Sequence, residues 1–269
     1  MLRLFIGVLF GLSLAGCQTV RTTAPGAVGV DRPQSMMVSA NDMNRAATQS
    51  YRELLDGARK NGALDKDALS VTRVQRVSRR LIEAAPYFRA DAAQWAWEVH
   101  VISSRELNAW CMPGGKIGFY TGLIDRLNAT DDEIAAVIGH EIAHALREHG
   151  RERASQALAT QLGIAVVSVA AGVNATGQDL ARVVTDLTFH LPNSRLHETE
   201  ADRIGVELAA RAGYNPYGAV TLWEKMARAS NGGPPQWLST HPSSTTRLDD
   251  LRNYANRVMP IYESSRVKP

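Results

Sequence analysis

The sequence predicts an α+β domain that is mostly helical, with a small β-sheet beside a helix carrying His140-Glu141-Ile142-Ala143-His144. Three observations carry this. Long stretches place apolar residues at helical spacing, as do Leu69, Val74, Val77, Leu81 and Ile82 between Asp67 and Ala85. Between such stretches, Gln94 to Ile102 alternates Trp95, Trp97, Val99 and Val101 with smaller or polar residues, the period of a strand. Finally, the His-Glu-x-x-His stretch lies in an apolar-periodic run behind Thr130-Asp131-Asp132-Glu133, the pattern of a capping box that starts a helix.

In chain order, Met1-Leu2-Arg3 is a short basic segment, Leu4 to Leu14 is apolar, and Leu14-Ala15-Gly16-Cys17 closes it with small residues before a cysteine. The pattern resembles a bacterial lipoprotein signal, with residues 1–16 removed and Cys17 lipidated. Eleven apolar residues are too few to cross a hydrocarbon core that needs about 20. Gln18 rather than Asp after the cysteine implies sorting to the outer membrane, with acyl chains tethering the protein on the periplasmic side. Residues 17–39, with Pro25, Gly26, Gly29 and Pro33 and few large aliphatics, read as a flexible tether, and residues 40–269 as one domain. The other cysteine is Cys111, so lipidated Cys17 leaves no intramolecular disulfide. A net charge of +3 is too weak to argue for nucleic acid.

Asn41 to Lys60 and Asp67 to Ala85 read as helices, the second ended by Pro86. His100 reads as an ordinary strand residue. A second extended stretch runs from Asn108 to Thr121, turned by Pro113-Gly114-Gly115, and Gly122 to Leu127 forms a short helix before the capping box. Leu162 to Ala175 is apolar but too short to span a bilayer, and reads as a core helix.

On a helix, residues four apart stack on one face, so His140 and His144 reach one metal ion with Glu141 to one side of it, the arrangement of a zinc site with a base beside it. A catalytic zinc site takes a third protein ligand. A histidine six residues after His144 is excluded because Gly150 stands there. Glu148 would have to reach back past His144, and reads as a solvated charge together with Arg147, His149, Arg151 and Glu152. His149, five residues on, falls about 140° around the helix from the site and is set aside as a ligand. The third ligand is sought in Ser194 to Gly205, a helix that Gly213 stops: Glu198 and Asp202 share a face, Glu198 to bind metal and Asp202 to accept the free N–H of a ligand histidine.

With these residues the chain resembles the M48 peptidases, on Asn108-Ala-Trp-Cys-Met-Pro-Gly-Gly, His140 to His144, Glu198-x-Glu-Ala-Asp202, and Ser239-Thr-His-Pro242 followed by Arg247. The resemblance implies a zincin fold of the gluzincin type, one Zn²⁺ per chain on His140, His144 and Glu198, and Glu141 as general base. It implies that Asp202 and Arg247 support the ligands, that His241 acts from a mobile loop as a transition-state donor or a latch, and that the strand at Asn108, Ala109, Pro113 and Gly114 offers an edge to extended substrate. The activity expected is that of a membrane-anchored periplasmic zinc metalloendopeptidase acting on unfolded or misfolded envelope polypeptides, with outer-membrane assembly machinery as a further partner. Two other readings stay open: a non-proteolytic envelope chaperone or assembly lipoprotein that keeps the fold, and a structural zinc module closed by His241.

Overall fold

The computed structural model describes residues 18–167, 177–229, 236–242 and 246–266. The signal peptide expected at residues 1–16, Cys17, the second half of the 162–175 apolar block and the break expected at Gly232-Gly233-Pro234-Pro235 lie outside the described residues.

Strands β1 (Gln18–Val20) and β2 (Gln34–Met36) pair antiparallel. Helix α1 (Ala40–Lys60) starts at Ser39, whose hydroxyl accepts from Asp42 N–H, and α2 (Ala68–Ala84) starts at Asp67, whose carboxylate accepts from Leu69 and Ser70 N–H. The 94–102 stretch is extended only from Glu98, as β3 (Glu98–Ile102); Ala90 to Gln94 form a 3₁₀ turn, and Trp95 stacks on Trp97 before the strand begins. Strands β4 (Ala109–Met112) and β5 (Lys116–Tyr120) form a hairpin across Gly114 and Gly115, whose φ of +80° and +82° suit glycine. The sheet order is β3-β5-β4, with β3 parallel and β4 antiparallel to β5, so β4 is an edge.

Helices α3 (Gly122–Leu127), α4 (Asp131–Leu146), α5 (His149–Val167), α6 (Gly177–Phe189), α7 (Arg195–Arg211), α8 (Gly218–Ala229), α9 (Gln236–Thr240) and α10 (Arg247–Arg266) follow. The capping box at Thr130 and Glu133 forms in full. Helix α4 is the axis of the core: every residue from Glu133 to Leu146 is buried, between the sheet, α2, α7 and α8. Its crossing with α7 is a backbone-to-backbone contact. A Cβ on Gly205 would lie 2.8 Å from His140 N and 2.9 Å from its Cα, and one on Gly139 would lie 3.0 Å from Gly205 O. Glycine at both positions therefore sets how near α7 comes to His140. No described helix is long and apolar enough to cross a membrane.

Two expectations are corrected. Residues 18–39 are not a flexible tether: the β1–β2 hairpin packs on α5, Val28, Val30 and Met36 are buried, Ser155 Oγ accepts from Met37 and Val38 N–H, and Glu207 accepts from Val28 N–H. The segment is held by buried polar pairs as well as by these apolar side chains, and an aliphatic count does not register the polar pairs. Second, the helix of His140 does not continue to His149. Leu146 ends it, Glu148 takes a left-handed φ of +52°, and α5 leaves in a new direction. Arg147, His149 and Glu152 consequently turn inward and are 0%, 1% and 2% exposed, not solvated.

Candidate metal centre

The i, i+4 spacing on α4 brings His140 Nε2 and His144 Nε2 to 3.1 Å. Helix α7, N-capped by Ser194, delivers Glu198 with one carboxylate oxygen 3.3 Å from His144 Nε2 and the other 3.4 Å from His140 Nε2. His241, just past α9, places Nδ1 3.1 Å from His140 Nε2 and 3.0 Å from Glu198 Oε1. All four residues are buried, and one donor atom from each lies within 4.8 Å of the others.

The donor set fits Zn²⁺. His140 Nδ1 donates to Asp202 Oδ1 at 2.9 Å, so Nε2 is the nitrogen turned to the cluster and would supply its lone pair to a metal. Glu198 Oε2 is buried and accepts no hydrogen bond. Imidazole nitrogens and a carboxylate converging on one buried point match the ligand chemistry of that ion. Burial opposes the charge on Glu198, but the His241 and His140 imidazoles outweigh it and hold its pKa well below the usual range; burial likewise drives the His144 pKa well down, leaving a neutral ligand. For His140, burial opposes protonation, but Glu198 and Asp202 prevail and raise the pKa to about 9, so the metal-free ring also carries a proton on Nε2 that a bound Zn²⁺ would displace.

Asp202 is itself held. Arg247 donates to Asp202 Oδ1 at 2.7 Å, lies 3.1 Å from Glu198 Oε2, and stacks over the Trp223 ring at 3.8 Å. Glu141 carries no Arg247 contact. It accepts instead from Trp237 Nε1–H at 2.8 Å, and its Oε1 is 3.5 Å from His241 Nε2. Trp237 is 1% exposed and stacks on His241 at 4.7 Å between ring centroids. Sequence reasoning missed it, although the signal was there: Trp237 precedes His241 by one helical turn, and His241 N–H donates to Trp237 O.

A cleft of about 210 Å³ opens on the cluster, lined among others by Glu141, His144, His241, Trp110, Cys111, Pro113 and Gly114. Of the edge residues singled out in the sequence, Pro113 and Gly114 therefore reach the cleft. Asn108 and Ala109 are buried at the start of β4 and do not line it.

The match to Peptidase family M48 covers residues 69–255. The chain is 35% identical over 178 residues to the mitochondrial metalloendopeptidase OMA1 of Saccharomyces cerevisiae, covering 63% of this chain and 50% of that protein. It is 25% identical over 251 residues to the metalloprotease LoiP of Escherichia coli, covering 93% and 95%. Against the beta-barrel assembly-enhancing protease of Escherichia coli the identity is 29% over 220 residues, covering 77% and 43%. The chain thus spans about half the length of the OMA1 relatives. The family match runs across both helices that build the cluster and over well more than half of the sequence, and the chain belongs to peptidase family M48.

Proposed function

We propose that this chain is a zinc metalloendopeptidase of the bacterial envelope, lipid-anchored through Cys17 to the outer membrane and facing the periplasm, that hydrolyses peptide bonds in unfolded or misassembled envelope proteins. The observation that carries the activity is the pairing of two functions on one helix. His140 and His144 converge with Glu198 on one point, while Glu141, between them in sequence, is aimed by Trp237 and left out of the ligand set. His140, His144 and Glu198 would hold one Zn²⁺, which when bound would supply Lewis-acid polarisation of a carbonyl and acidification of water. Glu141 takes the proton of the attacking water and passes it to the leaving amine. Asp202 and Arg247 fix the tautomer and orientation of His140 and the charge of Glu198.

An extended substrate pairs along β4, the sheet edge that follows Asn108, starts at Ala109 and leads into Pro113 and Gly114 beside the cleft. Main-chain pairing tolerates many side chains, which suits unfolded polypeptides. The outer-membrane reading is supported by the Leu14-Ala15-Gly16-Cys17-Gln18 pattern and by likeness to a protease named for β-barrel assembly, which also makes assembly machinery a candidate partner.

The position of His241 within the ligand cluster favours a second reading, a site closed by a fourth protein ligand. Chelation separates the two, since a structural site unfolds and a protease loses cleavage but keeps its fold. The deciding experiment pairs wild type with Glu141→Gln: the variant retains zinc and loses turnover of an unfolded protein by about 10²–10⁴-fold, the scale of a lost general base. Equal turnover would overturn the reading, and retained binding of unfolded protein without any cleavage by wild type would favour a chaperone. Cys17→Ser is expected to leave an unprocessed or mislocalised chain, read by mass spectrometry of the mature N-terminus.

A further inference from the structure

Asp202 and Arg247 explain how His140 is oriented, but among the described residues no carboxylate meets His144 at Nδ1. Its Nδ1 faces the Nδ1 of His149 at 2.9 Å. As a metal ligand His144 must present a lone pair at Nε2, so its proton sits on Nδ1 and donates to His149, whose Nδ1 accepts. The His149 proton is then on Nε2, which donates to Glu200 Oε2 at 2.9 Å. Each step allows one tautomer only.

The end of this chain is clamped by cations. Glu200 lies 3.2 Å from Arg147, fully buried, and takes Arg32 Nε–H at 2.8 Å. Arg32 also donates to both oxygens of Glu152, at 2.6 and 2.8 Å, and Gln34 donates to Glu152 and to Arg147 O. Glu152 in turn lies 3.2 Å from His197 Nε2, and the His197 ring stacks on His149 at 4.3 Å with 17° between planes. His149, Glu152 and His197 also lie close enough to suggest a cation site of their own. The two guanidinium groups on the carboxylates argue against that, because a cation there would have to displace Arg32 from Glu152 and face Arg147 as well.

We infer that His149 is a positioning residue for the metal site, a neutral imidazole that locks the tautomer and ring angle of His144 and transmits to it the Glu200 carboxylate, which the N-terminal hairpin clamps through Arg32. The inference rests on the proposed ligand role of His144 and deepens it. It gives the hairpin of residues 18–38 a part in building the centre: Arg32, over a hundred residues before His144 in sequence, is the fourth member of a line from ligand to His149, Glu200 and guanidinium.

The test is zinc affinity of the full chain by competition with a chromogenic chelator, together with urea unfolding of the chelator-treated protein. His149→Phe keeps the ring stacked on His197 and removes the acceptor; it is expected to weaken zinc binding about 10–100-fold, the usual cost of losing a partner behind a metal ligand. His149→Asn, with an amide oxygen near the position of Nδ1, is expected to recover most of that loss. Glu200→Gln keeps an acceptor for His149 without the charge and falls between wild type and His149→Phe, so the inference stays testable if the phenylalanine variant does not fold. A purely structural role predicts instead that zinc affinity follows unfolding stability across the variants, with no specific rescue by asparagine. Wild-type zinc affinity in His149→Phe or in Glu200→Gln, no rescue by asparagine, or two zinc ions per chain each overturns the inference. His144→Ala run in parallel separates the two levels: if it binds zinc normally the ligand assignment is wrong, whereas if it loses zinc while His149→Phe does not, only the role of His149 is wrong.

Discussion

Replacing Arg247 by Met removes one charge and keeps an apolar stem against Trp223, which makes the outcome a measure of the buried ion cluster. Arg247 is 4% exposed and is the only described guanidinium or ammonium in contact with Glu198 and Asp202 together, at 3.1 and 2.7 Å. Those two carboxylates have side-chain exposures of 3% and 12%, so water does little to replace the lost partner. Removing one member of such a pair costs about 3–5 kcal/mol, because the remaining charge stays buried and uncompensated. The cost should depend on zinc. With the ion on Glu198 that carboxylate is compensated again, and what remains is the loss of Asp202's hydrogen bond from a charged donor, about 1.5–3 kcal/mol. The assay is urea unfolding followed by tryptophan fluorescence, on chelator-treated and zinc-loaded protein. Arg247→Lys is expected to lie between wild type and Arg247→Met, since a lysine cannot bridge two carboxylates with a planar fork. A metal-free Arg247→Met protein within about 0.5 kcal/mol of wild type, the range of ordinary surface substitutions, would refute the reasoning. So would equal destabilisation with and without zinc.

Trp237→Phe removes the Nε1–H that aims Glu141 and should lower kcat by about 10–100-fold, the equivalent of 1.5–3 kcal/mol, with zinc content unchanged; wild-type kcat would show that Glu141 needs no such donor. His241→Ala is expected to slow peptide turnover by about 10²–10³-fold if His241 supplies the transition-state donor, and to speed turnover of unfolded protein if it is a latch; wild-type kcat and KM on several peptides would exclude both. Acid should act through the Arg32 cluster. Burial pushes Glu152 and Glu200 up, but Arg32 on both, with His197 on Glu152 and His149 on Glu200, prevails and lowers them below the ordinary 4.5, Glu200 to about 2. A depressed carboxylate pKa means the unfolded chain binds more protons, so this stabilisation is complete above about pH 4.5 and is lost as pH falls through the folded values. Unfolding free energy measured from pH 6 to 3 should fall below 4.5 and fall less in Arg32→Ala; parallel curves for the two proteins would count against the cluster's role.

How much of this site the sequence discloses depends on whether a local rule governs each piece. That His140 and His144 share a face, and Glu198 and Asp202 likewise, follows from helical periodicity, and the Thr130 capping box sets where the first helix starts; Glu198-x-x-x-Asp202 is common on solvated helices and stands out only because a third ligand is otherwise lacking after His144. Pro113-Gly114-Gly115 likewise announces the hairpin that leaves β4 as an edge. The break at Glu148 is different: no glycine or proline marks it, Glu148 itself adopts the left-handed conformation, and a helix assumed to continue sends His149 to solvent. Everything behind His144 is then misread together, since Arg147, Glu152 and the Arg32 hairpin acquire meaning only once His149 faces inward. Trp237 escaped for a related reason: an indole N–H finds a carboxylate through tertiary contact, and no spacing rule links residue 237 to residue 141.

The distance between the two legible pairs is the remaining question, because 54 residues separate His144 from Glu198 and periodicity says nothing about their approach. Gly139 and Gly205 answer it. Each sits beside the chemistry in sequence, one residue before His140 and three after Asp202, and each lacks the Cβ that would meet backbone on the other helix. A methyl group at Gly205 would press on His140 N and Cα, so α7 would have to withdraw from α4. The Nδ1–H···Oδ1 contact of 2.9 Å between His140 and Asp202, already at hydrogen-bond length, would lengthen with it. The two carboxylates and two imidazoles are therefore co-located by glycine at a helix crossing rather than by any property of the ligands themselves. In this fold the small residues flanking a metal motif carry as much of the site's geometry as the residues that would touch the metal.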